Sequence, residues 1–355
     1  MSNIDRIRQA LSEQEYGVIL VTDPANRLFA TGFFSDDGVL LITEDKAVYF
    51  TDSRYIEAAN AAVSCADVRQ VTVDSPYSAQ IKSILNDSGY ATIGFEDNSV
   101  TYAEYLSWQE MLECELIPIK KMLTGLRSIK SADDLTQIKK AQRIAEKSFE
   151  EVLRLVSTEM TEKELATELL LRFLKNGADD KSFDTIAVSG PKTSLPHGVP
   201  EDKKIGNGFL TIDFGVRYNG WCTDTTRTLC IGKPDEEMIR VYDTVLRAQE
   251  AGIRAVHAGI EAKEVDAQAR AVIEAAGYGE YFGHGFGHGV GLEVHEEPSV
   301  SKSSKDILPA GAVISAEPGI YIPGRYGVRI EDVLFVKEDG CENITNLPKK
   351  LIVIE

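Results

Sequence analysis

The chain has 355 residues, 43% of them hydrophobic, which is enough for a large buried core and more than a single domain usually holds. With a net charge of -18 no basic patch is evident in the sequence, which argues against binding to nucleic acid or to anionic membranes. No apolar run is long enough to cross a membrane, and the charged start MSNIDRIRQALSEQEYG has no apolar leader core, so a cytoplasmic location is expected.

In chain order, RIRQALSEQ is amphipathic and helical in pattern, and GVILVTD is a short apolar run. GVLLITEDKAVYFTDSRY then sets polar TEDK between two apolar runs, as a hairpin does. Around residues 123–134, LTGLRSIKSADD is polar and reaches Ser131, a helix N-cap residue, ahead of a long amphipathic stretch. A domain boundary is expected near residue 125, giving an α/β domain over residues 1–125 and a second, α+β domain over 126–355. The second part reads as helices over 132–157 and 161–176, strands within 209–230, helices over 235–256 and 261–276, and strands over 312–317 and 327–336. Internal repeats and low-complexity segments are absent. Five cysteines, at 65, 114, 222, 230 and 341, show no CxxC spacing and read as reduced thiols.

Gly283 to Glu296 reads GHGFGHGVGLEVHE and places His284, His288 and His295 among five glycines. Each glycine costs a helix about 1 kcal/mol relative to alanine, and an ordinary strand suffers similarly. The stretch therefore predicts backbone that approaches something closely while holding imidazoles at defined spacing. GFGHGVG has no G-x-G-x-x-G register and follows a helix, which argues against a dinucleotide loop. His257, in a helical pattern away from these motifs, reads as a surface or structural residue.

In TIDFGVRYNGWCTDTTRT, Asn219-Gly220 between strand-like runs is a hairpin signal. With those two residues as the loop, Tyr218 faces Trp221, Gly215 faces Asp224 and Asp213 faces Thr226, so Asp213 and Asp224 lie diagonally on one face. Diagonal neighbours are about 7–8 Å apart, close enough for two short carboxylates to share a cation. On the hairpin alone, two aspartates facing water explain the pattern equally well. Glu317 ends the apolar run AVISA just before Pro318, and GVRIEDVLFV puts Arg329 and Glu331 on one strand face. With His288 these make one imidazole and four carboxylates, too many ligands for one tetrahedral zinc and oxygen-rich enough for hard ions such as manganese. Two ions sharing carboxylates activate water against a carbonyl carbon, which is metal-assisted hydrolysis.

LPHGVP, DFG, TDTTRT, GHGFGHGVGLEVHE, EPGIY and RIED occur in the order found in the metallopeptidase family of prolidase, aminopeptidase P and methionine aminopeptidase, and the chain resembles that family over nearly its whole length. TDSRY resembles the creatinase-like N-terminal domain of the Xaa-Pro branch. The resemblance implies a creatinase-like α/β domain followed by a pita-bread catalytic domain, and two divalent ions per subunit, manganese first, with cobalt or zinc as alternatives. It makes Asp213 a ligand of one ion, His288 and Glu317 ligands of the other, and Asp224 and Glu331 the bridges. Glu317 would also handle the proton of the attacking water, and His295 would hydrogen-bond the substrate carbonyl or the developing oxyanion. His197 and His284 would line the pocket, with Tyr321 and Arg329 as pocket or supporting groups and Arg329 orienting a bridging carboxylate. It further implies a homodimer in which the N-terminal domain of one subunit helps close the site of the other.

The expected substrates are proline-containing dipeptides or short peptides. An Xaa-Pro dipeptidase is the first reading and an aminopeptidase P acting on longer peptides the alternative. A non-catalytic peptide-binding protein and a metal-free creatine amidinohydrolase are both opposed by the full ligand set. Many prolidases hold the substrate carboxylate with an arginine four residues beyond the histidine matching His295. Here that position is Ser299, and Lys302 and Lys305 are the nearest basic residues.

Overall fold

The structure, a computed structural model, describes residues 2–355. The chain forms two compact units, one ending at Arg127 and the other running from Ser128 to Glu355.

The first unit is built on a six-stranded mixed sheet in the order Asp67–Gln70, Ala47–Thr51, Val39–Thr43, Val18–Val21, Thr92–Phe95 and Glu115–Pro118. Val39–Thr43 and Ala47–Thr51 form the expected antiparallel hairpin, with Ile42 opposite Ala47. Val18–Val21 is buried along its whole length and pairs antiparallel with one neighbour and parallel with the other. That burial explains its unbroken apolar run.

In the second unit, the helices Ala132–Leu153 and Glu162–Lys175 pack on a sheet ordered Val353–Ile354, Thr225–Ile231, Gly208–Phe214 and Ile186–Ser189. Both helices begin at capping boxes, Ser131 with Asp134 and Thr161 with Glu164. Each such cap stabilises by about 1 kcal/mol. The first helix ends at Leu153, short of the expected residue 157. Along Gly208–Phe214, Leu210, Ile212 and Phe214 enter the core beneath these helices, where the Phe149 and Phe214 rings stack at 5.0 Å. Period-two alternation sends Thr211 and Asp213 to the opposite face.

A second helix pair, Glu236–Ala255 and Ala262–Ala275, packs on a sheet ordered Glu296–Val300, Gly287–Gly289, Val313–Ala316, Asp332–Lys337 and Gly340–Asn343. Phe286 anchors the glycine-histidine segment in this core. A side chain at Gly252 would fall 2.2 Å from its ring, so the helix takes glycine there.

The expected strand over 327–336 is broken. Tyr326–Arg329 pairs with Gly319–Ile322, whereas Asp332–Lys337 pairs with Val313–Ala316 in another sheet. The chain changes sheets at Ile330 and Glu331, where the Glu331 N–H donates to the Thr226 carbonyl instead of a strand neighbour. Glu317 and Pro318 mark the reverse change, between Val313–Ala316 and Gly319–Ile322. Both glutamates thus stand where a regular ladder is interrupted, and such interruptions re-aim side chains.

Candidate metal centre

The Asn219-Gly220 turn has positive φ at both residues, 50° and 82°, as a two-residue hairpin loop of this hand requires. Tyr218 is opposite Trp221 and Asp213 opposite Thr226, the register expected from sequence. Between these rungs Gly215 and Asp224 lie outside the strands, while the Thr223 N–H still donates to the Val216 carbonyl. A Cβ at Gly215 would lie 1.9 Å from the Thr223 carbonyl, so this closure of the two chains admits only glycine. Asp224 is thereby turned inward beside Asp213, and both are buried.

His288 lies in the three-residue strand Gly287–Gly289, at a register shift against Glu296–Val300. The close approach predicted for this segment is to protein: a side chain at Gly287 would meet the Ser315 carbonyl at 2.1 Å. His288 Nδ1 lies 3.0 Å from the Gly289 carbonyl, and with the proton on that nitrogen Nε2 is left for the carboxylates. Nε2 is 3.2 Å from Glu317 Oε1 and 3.6 Å from Asp224 Oδ2.

All five expected ligands meet. Ligand atoms of Asp213, Asp224 and Glu331 lie within 4.8 Å of one another, and so do those of His288, Glu317 and Glu331, so Glu331 belongs to both groups. A third such group joins Asp224, His288 and His295.

Burial and the neighbouring carboxylates Glu331, Asp213 and Glu317 hold the Asp224 carboxyl well above its usual pKa. Burial, Glu317 and Asp213 do the same to Glu331. Glu317 goes the other way: burial would raise it, but the hydrogen bond and charge of His288 prevail and bring it to about 2. Burial opposes charge on His288 too, yet Glu317 raises its pKa.

Buried carboxylates this close need a cation. Asp213 Oδ1 and Glu331 Oε1 are both buried and have no hydrogen-bond partner, a costly arrangement unless something else meets them. Oxygen donors with one imidazole fit a pair of hard divalent ions. Metal binding requires the ionised carboxylates and the neutral imidazole, so loading the metal-free protein should release protons. Since Asp224, Glu331 and His288 all have raised pKa values, the release per ion should grow from neutral towards mildly acidic pH. Calorimetric titration in buffers of different ionisation enthalpy measures it; release that does not change with pH would refute the expectation.

The cluster opens into a cavity of about 980 Å³ lined also by His197, His284, His295, Ser299, Tyr321 and Arg329. His284 Nε2 is 3.0 Å from the Tyr321 hydroxyl, which accepts a hydrogen bond from Arg329 Nη1 at 2.8 Å. Arg329 Nη2 donates to Asp213 Oδ2 at 2.6 Å, and its Nε donates to Thr226 Oγ1, which in turn donates to Glu331 Oε2. Arg329 therefore touches Asp213 directly and reaches a bridging candidate, Glu331, only through Thr226. Any orienting of a bridging carboxylate by Arg329 would run through Thr226 to Glu331. Arg329→Ala should lower activity about ten- to hundredfold. Lysine, lacking the planar fork, should not restore it. Wild-type rates in either variant would reduce Arg329 to a passive ion pair.

His295 is exposed as a residue, but its ring packs edge-on to His288 with centroids 4.2 Å apart, and this partial burial together with the His288 charge lowers its pKa, favouring the neutral ring. His197 is exposed at the cavity wall. Lys302 and Lys305 are not among the described residues that line the cavity. His257 is exposed and is not among the residues that line the cavity.

Several supporting residues are not evident in the sequence. Thr226 stands within the TDTTRT motif but has no spacing that sets it apart from the threonines beside it. Buried Asp266 accepts from Arg270 and from the Phe286 N–H, while Arg270 also donates to the Phe282 and His284 carbonyls, which fixes the segment carrying His284. Glu162, wholly buried, accepts from the backbone N–H groups of Ser189 and Glu201 and so brackets the segment carrying His197.

A creatinase-type first unit, a pita-bread second unit and a buried carboxylate–histidine cluster define a two-domain metallopeptidase. The chain belongs to metallopeptidase family M24: residues 136–338 match that family, and residues 3–129 match the creatinase/prolidase N-terminal domain. It is 33% identical to an Xaa-Pro dipeptidase of Pyrococcus furiosus, covering 98% of this chain and 99% of that protein. Among solved structures, an Xaa-Pro dipeptidase from Bacillus anthracis superposes with a TM-score of 0.96 at 38% identity, covering 99% of both chains. An X-Pro aminopeptidase from Thermotoga maritima gives 0.91 at 35% identity, covering 98% of this chain and 100% of that one.

Proposed function

We propose that this protein is a two-metal peptidase that hydrolyses the bond between an N-terminal residue and proline, with Xaa-Pro dipeptides as first substrates. The observation that carries the chemistry is the pair of bare, buried carboxylate oxygens on Asp213 and Glu331 beside His288 and Glu317. Asp213 would hold one ion, His288 and Glu317 the other, with Asp224 and Glu331 shared between them, and Glu331's membership of two ligand groups supports that division. When bound, the metal pair, manganese first, supplies Lewis acidity and activates the attacking water.

The chain's own residues do the rest. Glu317, steadied by a hydrogen bond from Ser315 Oγ at 3.3 Å, takes the water's proton and returns it to the departing proline nitrogen. A neutral His295 donates to the oxyanion as it develops. His197 and His284 flank the proline side of the cavity. An Xaa-Pro bond has no N–H, so a peptidase acting on it must position the substrate by such side chains.

A second reading, aminopeptidase P, is favoured by the surroundings of Ser299. Arg329 is the one lysine or arginine among the described lining residues, it is 4% exposed, and its guanidinium is already shared among Asp213, Tyr321, Thr226 and the Pro196 carbonyl. A dipeptide's carboxylate beside proline would then lack a cation from this chain, at a cost of several kcal/mol if buried. The ratio of kcat/KM for Ala-Pro and Ala-Pro-Ala tests the choice. The dipeptidase reading expects Ala-Pro to win; the reverse order establishes the aminopeptidase.

By the family resemblance we also propose a homodimer. A cytoplasmic location accords with five cysteines, none in a disulfide.

A further inference from the structure

His295 is carried on the turn between Gly287–Gly289 and Glu296–Val300, and little regular structure fixes it. The turn's inner space is filled by the Glu296 carboxylate, which a side chain at Gly291 would meet at 2.1 Å. Glu296 Oε2 accepts from the Glu293 N–H at 3.5 Å, at the long limit of a hydrogen bond. Glu296 Oε1 accepts from Lys130 Nζ at 2.5 Å, and the two side chains are 2% and 0% exposed. Lys130 is itself fixed: its ammonium donates to the Ser128 carbonyl and its backbone N–H to Gly311, beside the bridge between Ile129 and Ala312. Ala312 leads directly into Val313–Ala316, the strand that delivers Glu317. One buried lysine thus ties the turn bearing His295 to the strand bearing Glu317. In the sequence, Lys130 is one residue of the polar stretch LTGLRSIKSADD.

An ion pair sealed from water is a poor device for stability, because an apolar pair of similar volume often serves as well. What it adds is a fixed geometry. We propose that Lys130 and Glu296 are positioning residues that set His295 against Glu317 and the metal cluster, with no contact of their own to substrate. The inference rests on the role given to His295 above.

The test compares Lys130→Met, Glu296→Gln and the Lys130→Met/Glu296→Gln double variant, each also made in a His295→Ala background. Rates are taken per folded protein with metal content measured. Either single change removes one charge of a buried ion pair and should destabilise, whereas the double variant should recover most of the melting temperature. The expected result is that the double variant binds metal as the parent does yet loses about tenfold or more in kcat and kcat/KM alike, as for a group acting in the transition state. In the His295→Ala background the same substitutions should cost nothing further, because effects that run through one residue are not additive. A double variant with parental kcat, one that cannot be isolated folded, or a loss that persists in full without His295 would each overturn the proposal. His295→Ala with undiminished kcat would withdraw the role of His295 itself, and the pair's with it.

Discussion

Replacing Asp224 or Glu331 by alanine should remove both metal ions and lower kcat by about 10³-fold or more. Loss of Lewis acidity and water activation together forfeits several kcal/mol of transition-state stabilisation, and each 1.4 kcal/mol or so is a factor of ten. Asp213→Ala should behave differently and retain about one ion per subunit, since in the proposed assignment its carboxylate would serve one ion only. The distinction follows from position. Glu331 belongs to both main ligand groups, and Asp224 stands between Asp213 and His288. Elemental analysis of the three variants after equal exposure to manganese decides the matter. Equal metal loss in all three would remove the basis for calling any of them a bridge.

The second large effect concerns His295. Its conversion to alanine should lower kcat by about 10²- to 10³-fold, the usual consequence of deleting one donor to a developing oxyanion. KM for an Xaa-Pro substrate and the metal content should change little. His295 does share a ligand group with Asp224 and His288, so metal analysis must accompany the kinetics. A variant that has lost metal in proportion to rate would make His295 a ligand and sink the oxyanion role. An unchanged kcat would exclude both.

Legibility from sequence followed the range of the interaction that fixes each element. The Asn219-Gly220 hairpin and the Ser131 cap are decided within a few residues, and the structure has both where the sequence put them. The coming together of Asp213, Asp224, His288, Glu317 and Glu331 was also expected, although it spans more than a hundred residues. Charge placed where solubility does not need it was the signal, with the family resemblance behind it.

Other features were hidden for a physical reason. The break at Glu331 depends on a backbone bond to Thr226, which no local pattern announces. Lys130 reads as one polar residue in a polar segment, and only tertiary structure shows that its ammonium is sealed against Glu296. Asp266 and Glu162 look like ordinary polar residues of helical patterns. Their carboxylates point inward to brace turns far along the chain.

The hydrogen-bonded row from His284 through Tyr321 and Arg329 to Asp213 joins the cavity wall to the cluster without a gap. Arg329 is its only charged donor, and a branch reaches Glu331 through Thr226. A ligand that draws on His284 should therefore change how firmly Asp213 is held, and an ion drawn to Asp213 should change what His284 can offer a ligand. Linkage makes these the same quantity: by whatever factor an Xaa-Pro peptide tightens the protein's hold on its ions, the ions must tighten its hold on the peptide.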